Sequence, residues 1–135
     1  MTRPVITYSG PVDAAEVIRE VAGARFDIQT VPPETEAVAS GLKNASAFLD
    51  ASMKVRLTEA MIAAAPDLRL VVTATTGADH IDAAALERRG IPLLTLKGQR
   101  EVLSDLTPAA EHSWLLLMAC ARWLPRAHAH VLGGG

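Results

Sequence analysis

The sequence predicts an α/β protein: a flavodoxin-like, doubly wound parallel sheet of five strands in the order 2-1-3-4-5, followed by a long apolar helix. Three observations lead there. Short runs rich in β-branched residues alternate with runs of helical period along the whole chain. The fourth of these runs, LRLVVTAT, is apolar on both faces, as a central parallel strand is. Strands separated by helices of one to four turns imply right-handed crossovers and a parallel sheet. The strand order itself follows by analogy with open α/β folds.

Each element has its own signal. VITYS (Val5–Ser9) reads as the first strand, and AAEVIREVAG after it places Ala14, Val17, Ile18 and Val21 at helical spacing. Asp13 stands where an N-cap belongs and Gly23 where the helix ends. FDIQTV (Phe26–Val31) is a second strand closed by Pro32 and Pro33, and Thr35–Leu42 is a weaker helix. ASAFLDAS (Ala45–Ser52) reads as the third strand. Val55–Ala65 predicts a helix with Leu57, Ala60, Met61 and Ala64 on one side, stopped by Pro66. LRLVVTAT (Leu68–Thr75) is the fourth strand, Asp82–Arg89 a short helix ended by Gly90, and IPLLTL (Ile91–Leu96) the fifth strand.

From about Thr107 to Leu124 the pattern predicts one long helix. Its residues Trp114 to Ala121 are apolar in every direction around the axis, and such a helix must be buried all round. Burying Trp114, Leu117 and Met118 is worth roughly 1.5–3 kcal/mol each, too much to leave to solvent. Something outside this chain is expected to cover that surface. Pro125 is expected to halt the helix, leaving RAHAHVLGGG as a linker cut short.

Composition sets the class. Half of the 135 residues are hydrophobic and 21% are charged, which suits a folded globular chain. A net charge of −2 and the lack of a basic run give no nucleic-acid footprint. One cysteine, Cys120, excludes a disulfide framework and makes a reducing, cytoplasmic setting the default. The most apolar segment, WLLLMACA, falls far short of the roughly 20 residues that span a bilayer, and the N-terminal apolar patch is too short for a signal peptide.

The chemistry gathers in TATTGADHID, Thr73–Asp82. Asp79, His80 and Asp82 can all ligate metals, but on a turn their side chains diverge and no second ligand cluster stands nearby. Asp82 reads as the N-cap of the helix after it, and Asp79 as a brace that accepts bonds from turn amides. Gly77 follows the carboxyl end of a central strand, where open α/β sheets place their ligands. It permits a positive φ and close approach to bare backbone, so the amides of Thr76, Gly77 and Ala78 suit a carboxylate or phosphate. A turn that needs glycine for geometry alone is the competing reading.

Two more loops are expected at the same edge, Tyr8-Ser9-Gly10 and Ala51-Ser52-Met53-Lys54. Ser52 and Lys54 offer a hydroxyl donor and a positive charge to a ligand, or else a helix cap and a solvated lysine. Glu111 and His112 are neighbours on a helix and point about 100° apart, which favours a hinge or interface role over acid/base catalysis. His128 and His130 read as exposed linker residues. No catalytic residue and no metal ligand is assigned.

LRLVVTATTGADHIDAAALERRGIPLLTL, followed by TPAAEHSWLLLMACARWLPRAHAHVLGGG, resembles the D-isomer-specific 2-hydroxyacid dehydrogenase family. Gly77, Asp79, His80, Ile81 and Asp82 match the family's Gly-x-Asp-Asn/His-Ile/Val-Asp turn. Gly90–Pro92 match a GIP that opens the next strand, and Ala110, Glu111 and His112 match an Ala-Glu-His start to an apolar helix. The likeness covers about residues 66–135; the part before it fits by layout. It implies that the amides at Thr76 and Gly77 hold the carboxylate of a 2-hydroxy or 2-keto acid. It implies a substrate-binding domain over residues 1–104. Residues 105–135 would form an inter-domain helix that commonly packs in a homodimer.

The same resemblance implies partners this sequence does not display. The family's nucleotide-binding unit, with its glycine-rich phosphate loop, arginine and Glu–His acid/base pair, has no counterpart in these 135 residues. NAD or NADP is therefore expected in a full-length parent and not on this chain alone. The linker KGQREVLSDL is longer than usual, and Asp105 stands where formate-specific members have asparagine, which argues against formate. The reading is the substrate-binding part of an NAD(P)-dependent dehydrogenase, inactive by itself. The alternative is a non-catalytic flavodoxin-like binding or interaction module. A receiver-type signalling domain is disfavoured, because Tyr8-Ser9-Gly10 replaces the acidic pair expected after its first strand.

Overall fold

A computed structural model describes residues 3–135. One compact unit ends at Gly98 and a second runs Gln99–Gly135. The first holds a five-stranded parallel sheet, β1 (Val5–Ser9), β2 (Asp27–Thr30), β3 (Ala47–Asp50), β4 (Leu70–Thr73) and β5 (Leu93–Leu94), in the order β2-β1-β3-β4-β5. This is the order expected. The crossovers are α1 (Val12–Ala22), α2 (Thr35–Leu42), α3 (Glu59–Ala63) and α4 (Ala83–Arg88).

Handedness explains where the core lies. The chain steps one way from β1 to β2 and the other way through β3, β4 and β5. Right-handed crossovers therefore put α1 alone on one face and α2, α3 and α4 on the other. On the three-helix face Thr7, Phe48 and Val71 share a register row and are all at most 3% exposed. Val38, Leu42, Met61, Ile62, Ala85 and Leu86 join Phe48 and Val71 in one buried cluster. Within this unit the other face has one helix to cover it, and Ile6, Leu49, Leu70 and Val72 are half-buried.

Several expectations give way to packing. Asp13 does not cap α1: the helix starts at Val12 behind Pro11, and Asp13 sits within its first turn, where its charge still opposes the helix dipole favourably. Of the stripe read from that helix, Val17 is 58% and Val21 75% exposed, while Ala15 is the buried contact. The helix expected from Val55 begins only at Glu59, because Leu57 pairs in a bridge with Ile81 and Thr58 caps the helix by accepting from Met61 N. The strands β2, β3, β4 and β5 are shorter than the runs that announced them.

The second unit contains α5 (Arg100–Ser104), α6 (Pro108–Ala121) and α7 (Leu124–Leu132). Sequence reasoning missed α5. The single helix to Leu124 is corrected: α6 stops at Ala121, and Trp123 turns left-handed with φ 53°. Pro125 is the cause. It has no N–H to give Ala121 and its ring would strike that carbonyl, yet it fits the first turn of a new helix. Arg126 then lies over the Trp123 ring at 4.8 Å. The tail read as a linker, including His128 and His130, is helical as far as Leu132.

Candidate functional site

The carboxyl ends of β1, β3 and β4 present a row of buried polar side chains. Ser9, Asp50 and Thr73 are register partners on the three-helix face, each at most 2% exposed. Polar groups in such a row must find partners or cost about 1–3 kcal/mol each. Asp50 finds four: it accepts from Ser52 N at 3.1 Å, Ser52 Oγ at 2.8 Å, Met53 N at 3.1 Å and His80 Nε2 at 2.8 Å. The carboxylate thereby shapes the loop after β3, where Met53 takes φ 57°. Because a carboxylate only accepts, Nε2 carries the imidazole proton. His80 Nδ1 and Ser9 Oγ are buried without a partner among the described residues.

The turn after β4 is held at several points. Thr73 and Thr75 hydroxyls meet at 2.7 Å, and Thr75 Oγ1 donates to Gly77 O at 2.6 Å. Leu57 N donates to His80 O at 2.8 Å, and Asp82 N donates to Leu57 O at 2.9 Å. Asp82 caps α4, accepting from Ala85 N at 2.9 Å, as its position announced. Asp79 does not brace the turn: among the described residues its carboxylate accepts no hydrogen bond, and the threonine pair does that work.

Between these anchors lie Thr76 and Gly77, both exposed, and Ala78, half-buried against the core. Among the described residues none of their three amides donates to a protein acceptor. The backbone at Gly77 is not left-handed, contrary to the reason first given for a glycine there. A Cβ at that position would meet nothing nearer than Asp79 Oδ2 at 3.9 Å. Neither backbone strain nor packing calls for glycine here.

Ser52 and Lys54 line a concavity of about 270 Å³ at this same edge, with Gly10, Pro11, Pro33 and Ala51. Thr76, Gly77 and Ala78 are not part of its wall. The Ser52 hydroxyl gives its proton to Asp50 and accepts from Lys54 N at 3.2 Å, so it is spent on the loop. Lys54 is exposed and makes no ion pair among the described residues. A larger concavity, about 650 Å³, opens at the amino edge between Arg3, Asn44, Asp67 and Arg69, away from the edge where such sheets bind ligands. In the second unit Glu111 accepts from the Thr107 hydroxyl at 2.5 Å, and His112 is exposed.

Tyr8, the only tyrosine, is buried beside this edge and donates to Pro11 O at 2.9 Å. Burial first, and then the charge of Asp50, push its phenol above the ordinary value. An acid harder to ionise when folded lets the unfolded chain ionise first. This stabilisation is whole below about pH 10 and is lost as pH climbs through the folded-state value. Tyrosinate absorbance of the native chain is expected to rise at higher pH than in urea, and Tyr8→Phe is expected to remove that part of the alkaline loss. Coincident titrations would show the phenol to be unshifted.

A family model described as "D-isomer specific 2-hydroxyacid dehydrogenase, catalytic domain" matches residues 5–107. The chain belongs to this family. Among 2-hydroxyacid dehydrogenases, a glyoxylate reductase of Thermococcus kodakarensis is 32% identical over 132 residues, covering 96% of this chain and 37% of the relative. A D-3-phosphoglycerate dehydrogenase of Mycobacterium bovis is 28% identical over 132 residues, covering 97% and 24%. The chain thus spans well under half the length of these curated relatives. In fold it is similar to a D-lactate dehydrogenase of Aquifex aeolicus complexed with NAD and lactic acid. That TM-score is 0.76 at 22% identity, over 94% of this chain and 36% of the other. A Staphylococcus aureus formate dehydrogenase gives 0.73 at 21% identity, over 92% and 40%. At such identities these two speak for the fold alone.

Sequence reasoning found the turn and its cap but not Asp50. The one signal available was an aspartate followed two residues later by serine at a strand end, the pattern of a side chain folding back on its own loop.

Proposed function

We propose that this chain is the substrate-binding part of an NAD(P)-dependent D-2-hydroxyacid dehydrogenase, residues 1–104 forming the binding domain and 105–135 the connection to a nucleotide-binding half. The amides of Thr76, Gly77 and Ala78 grip the carboxylate of a 2-hydroxy or 2-keto acid, and Lys54 adds positive charge at the same sheet edge. One observation carries this: three consecutive amides at the tip of β4 with no protein acceptor among the described residues, around a glycine the fold does not require. The likeness to a glyoxylate reductase supports a short acid.

Hydride transfer also needs a nicotinamide, and the residues present do not fit one. A dinucleotide is held by a glycine-rich turn that opens a helix. The turn from β1 to α1 offers Gly10 alone, and a Cβ there would press on the Ala51 side chain at 2.8 Å, so this glycine serves packing. The chain by itself is read as inactive, its cofactor NAD or NADP belonging to the other half. Its lone cysteine supports a cytoplasmic setting.

Glyoxylate added to ¹⁵N-labelled chain is expected to shift the amides of Thr76, Gly77 and Ala78, with affinity on the order of millimolar, about 4 kcal/mol. Gly77→Val, which the open space tolerates, is expected to weaken binding at least tenfold with the fold kept. No shift at about a hundred times that concentration would instead favour the non-catalytic module.

The homodimer proposal rests on α6. Trp114, Leu115, Leu116 and Leu117 are 52–64% exposed, a surface that a second copy covers. Light scattering is expected to give twice the chain mass, and Leu116→Asp to halve it. A monodisperse monomer at high concentration removes this proposal.

A further inference from the structure

The Asp50–His80 pair is unused by the reading above, though it is the most buried charged group of the site and spans thirty residues of sequence. Its form suggests acid/base chemistry, an imidazole oriented by a carboxylate. Exposure decides against that: His80 Nδ1, the nitrogen left for a substrate, is sealed from solvent and meets no partner among the described residues. The pair acts on the backbone around it.

Asp50 divides its bonds between two loops. Ser52 N, Ser52 Oγ and Met53 N come from the loop that carries Lys54, and His80 comes from the turn that carries Thr76, Gly77 and Ala78. The other ties of the turn run elsewhere. Leu57 holds its far end, Thr75 holds Gly77 O from within, and Asp82 serves α4. Past the ladder bond from Ala74 N to Asp50 O, at 2.8 Å, His80 makes the one side-chain bond between these loops among the described residues.

We propose that Asp50 and His80 are positioning residues: together they fix the amides of Thr76–Ala78 relative to the Ser52–Lys54 loop, so that the turn is ordered before the carboxylate of a short 2-keto acid arrives. This rests on the carboxylate reading and adds to it the device that sets the geometry. A rigid site binds more tightly because the ordering of the loops is already complete before the ligand arrives. Without the pair the turn stays anchored at Leu57 but its tip is free to move against the neighbouring loop.

The test compares the 135-residue chain with His80→Phe, which keeps the ring and loses the bond, and His80→Gln, whose amide can restore it. In ligand-free protein, ¹⁵N order parameters at Thr76–Asp79 are expected to be near 0.85 in the wild type and His80→Gln, and below about 0.6 in His80→Phe. Glyoxylate affinity is expected to fall about tenfold in His80→Phe and within threefold in His80→Gln. A tip as ordered in His80→Phe as in the wild type overturns the proposal, as does glyoxylate binding unchanged by that substitution. Should His80→Phe not fold, His80→Leu takes its place, and failure of both to fold marks the pair as a stability element and also overturns it. If the wild type binds no glyoxylate, the carboxylate reading fails. The order parameters then judge the link between the loops alone.

Discussion

Asp50→Leu is expected to destabilise the chain by about 3 kcal/mol, measured by urea unfolding with an unchanged slope. Leucine keeps the branched heavy-atom skeleton but is larger than aspartate, so some overpacking at this buried position adds to a loss that is mainly polar. His80 Nε2–H is left without an acceptor in a site where the imidazole side chain is 12% exposed, and an orphaned buried donor costs about 1–3 kcal/mol. The Ser52 and Met53 amides lie in a half-open loop and recover part of their bonding from water. Met53 also holds a left-handed backbone, worth roughly 1–2 kcal/mol for a residue with a Cβ, and Asp50 is what fixes it there. Against a total stability of about 5–15 kcal/mol for a domain of this size, the loss is large. A change under about 1 kcal/mol would mean that the four bonds exchange evenly with water, and Asp50 would lose its place as the organiser of this edge.

What was legible in the sequence is what is local. The bounds of β1 and α2 and the Asp82 cap rest on patterns within a few residues, whereas the strand order came by analogy with open α/β folds. Asp82 could be read because a cap is a contact with the residue three places on. The Asp50–His80 bond could not, since thirty residues of unrelated sequence separate its partners, and the β3–β4 pairing and the Leu57–Ile81 bridge bring them together. The same limit explains Gly77. Its place at a strand tip was visible, while the reason for glycine was misjudged, because φ depends on how Leu57 and Thr75 pin the turn. Pro125 shows a local rule applied with the wrong consequence: a proline ends one helix and equally opens the next.

Helical periodicity is the weakest of these guides, and it can be tested against burial directly. Leu57, placed by periodicity on a helix face, lies outside any helix and is 1% exposed, packed in the core beside Ile81. Val17 and Val21, placed by the same rule on a core face, are 58% and 75% exposed. Truncating Leu57 to alanine leaves a cavity and is expected to cost about 2–5 kcal/mol. Val17→Ala and Val21→Ala remove little buried area and replace a β-branched residue by the best helix former, so each is expected to change stability by less than about 0.5 kcal/mol, of either sign. Urea unfolding of the three variants separates the accounts. Comparable losses at all three positions would restore Val17 and Val21 to a buried face, on this chain or against a partner. A loss confined to Leu57 shows that α1 owes its place to Ala15 and to the connection it makes between β1 and β2, its valines facing water.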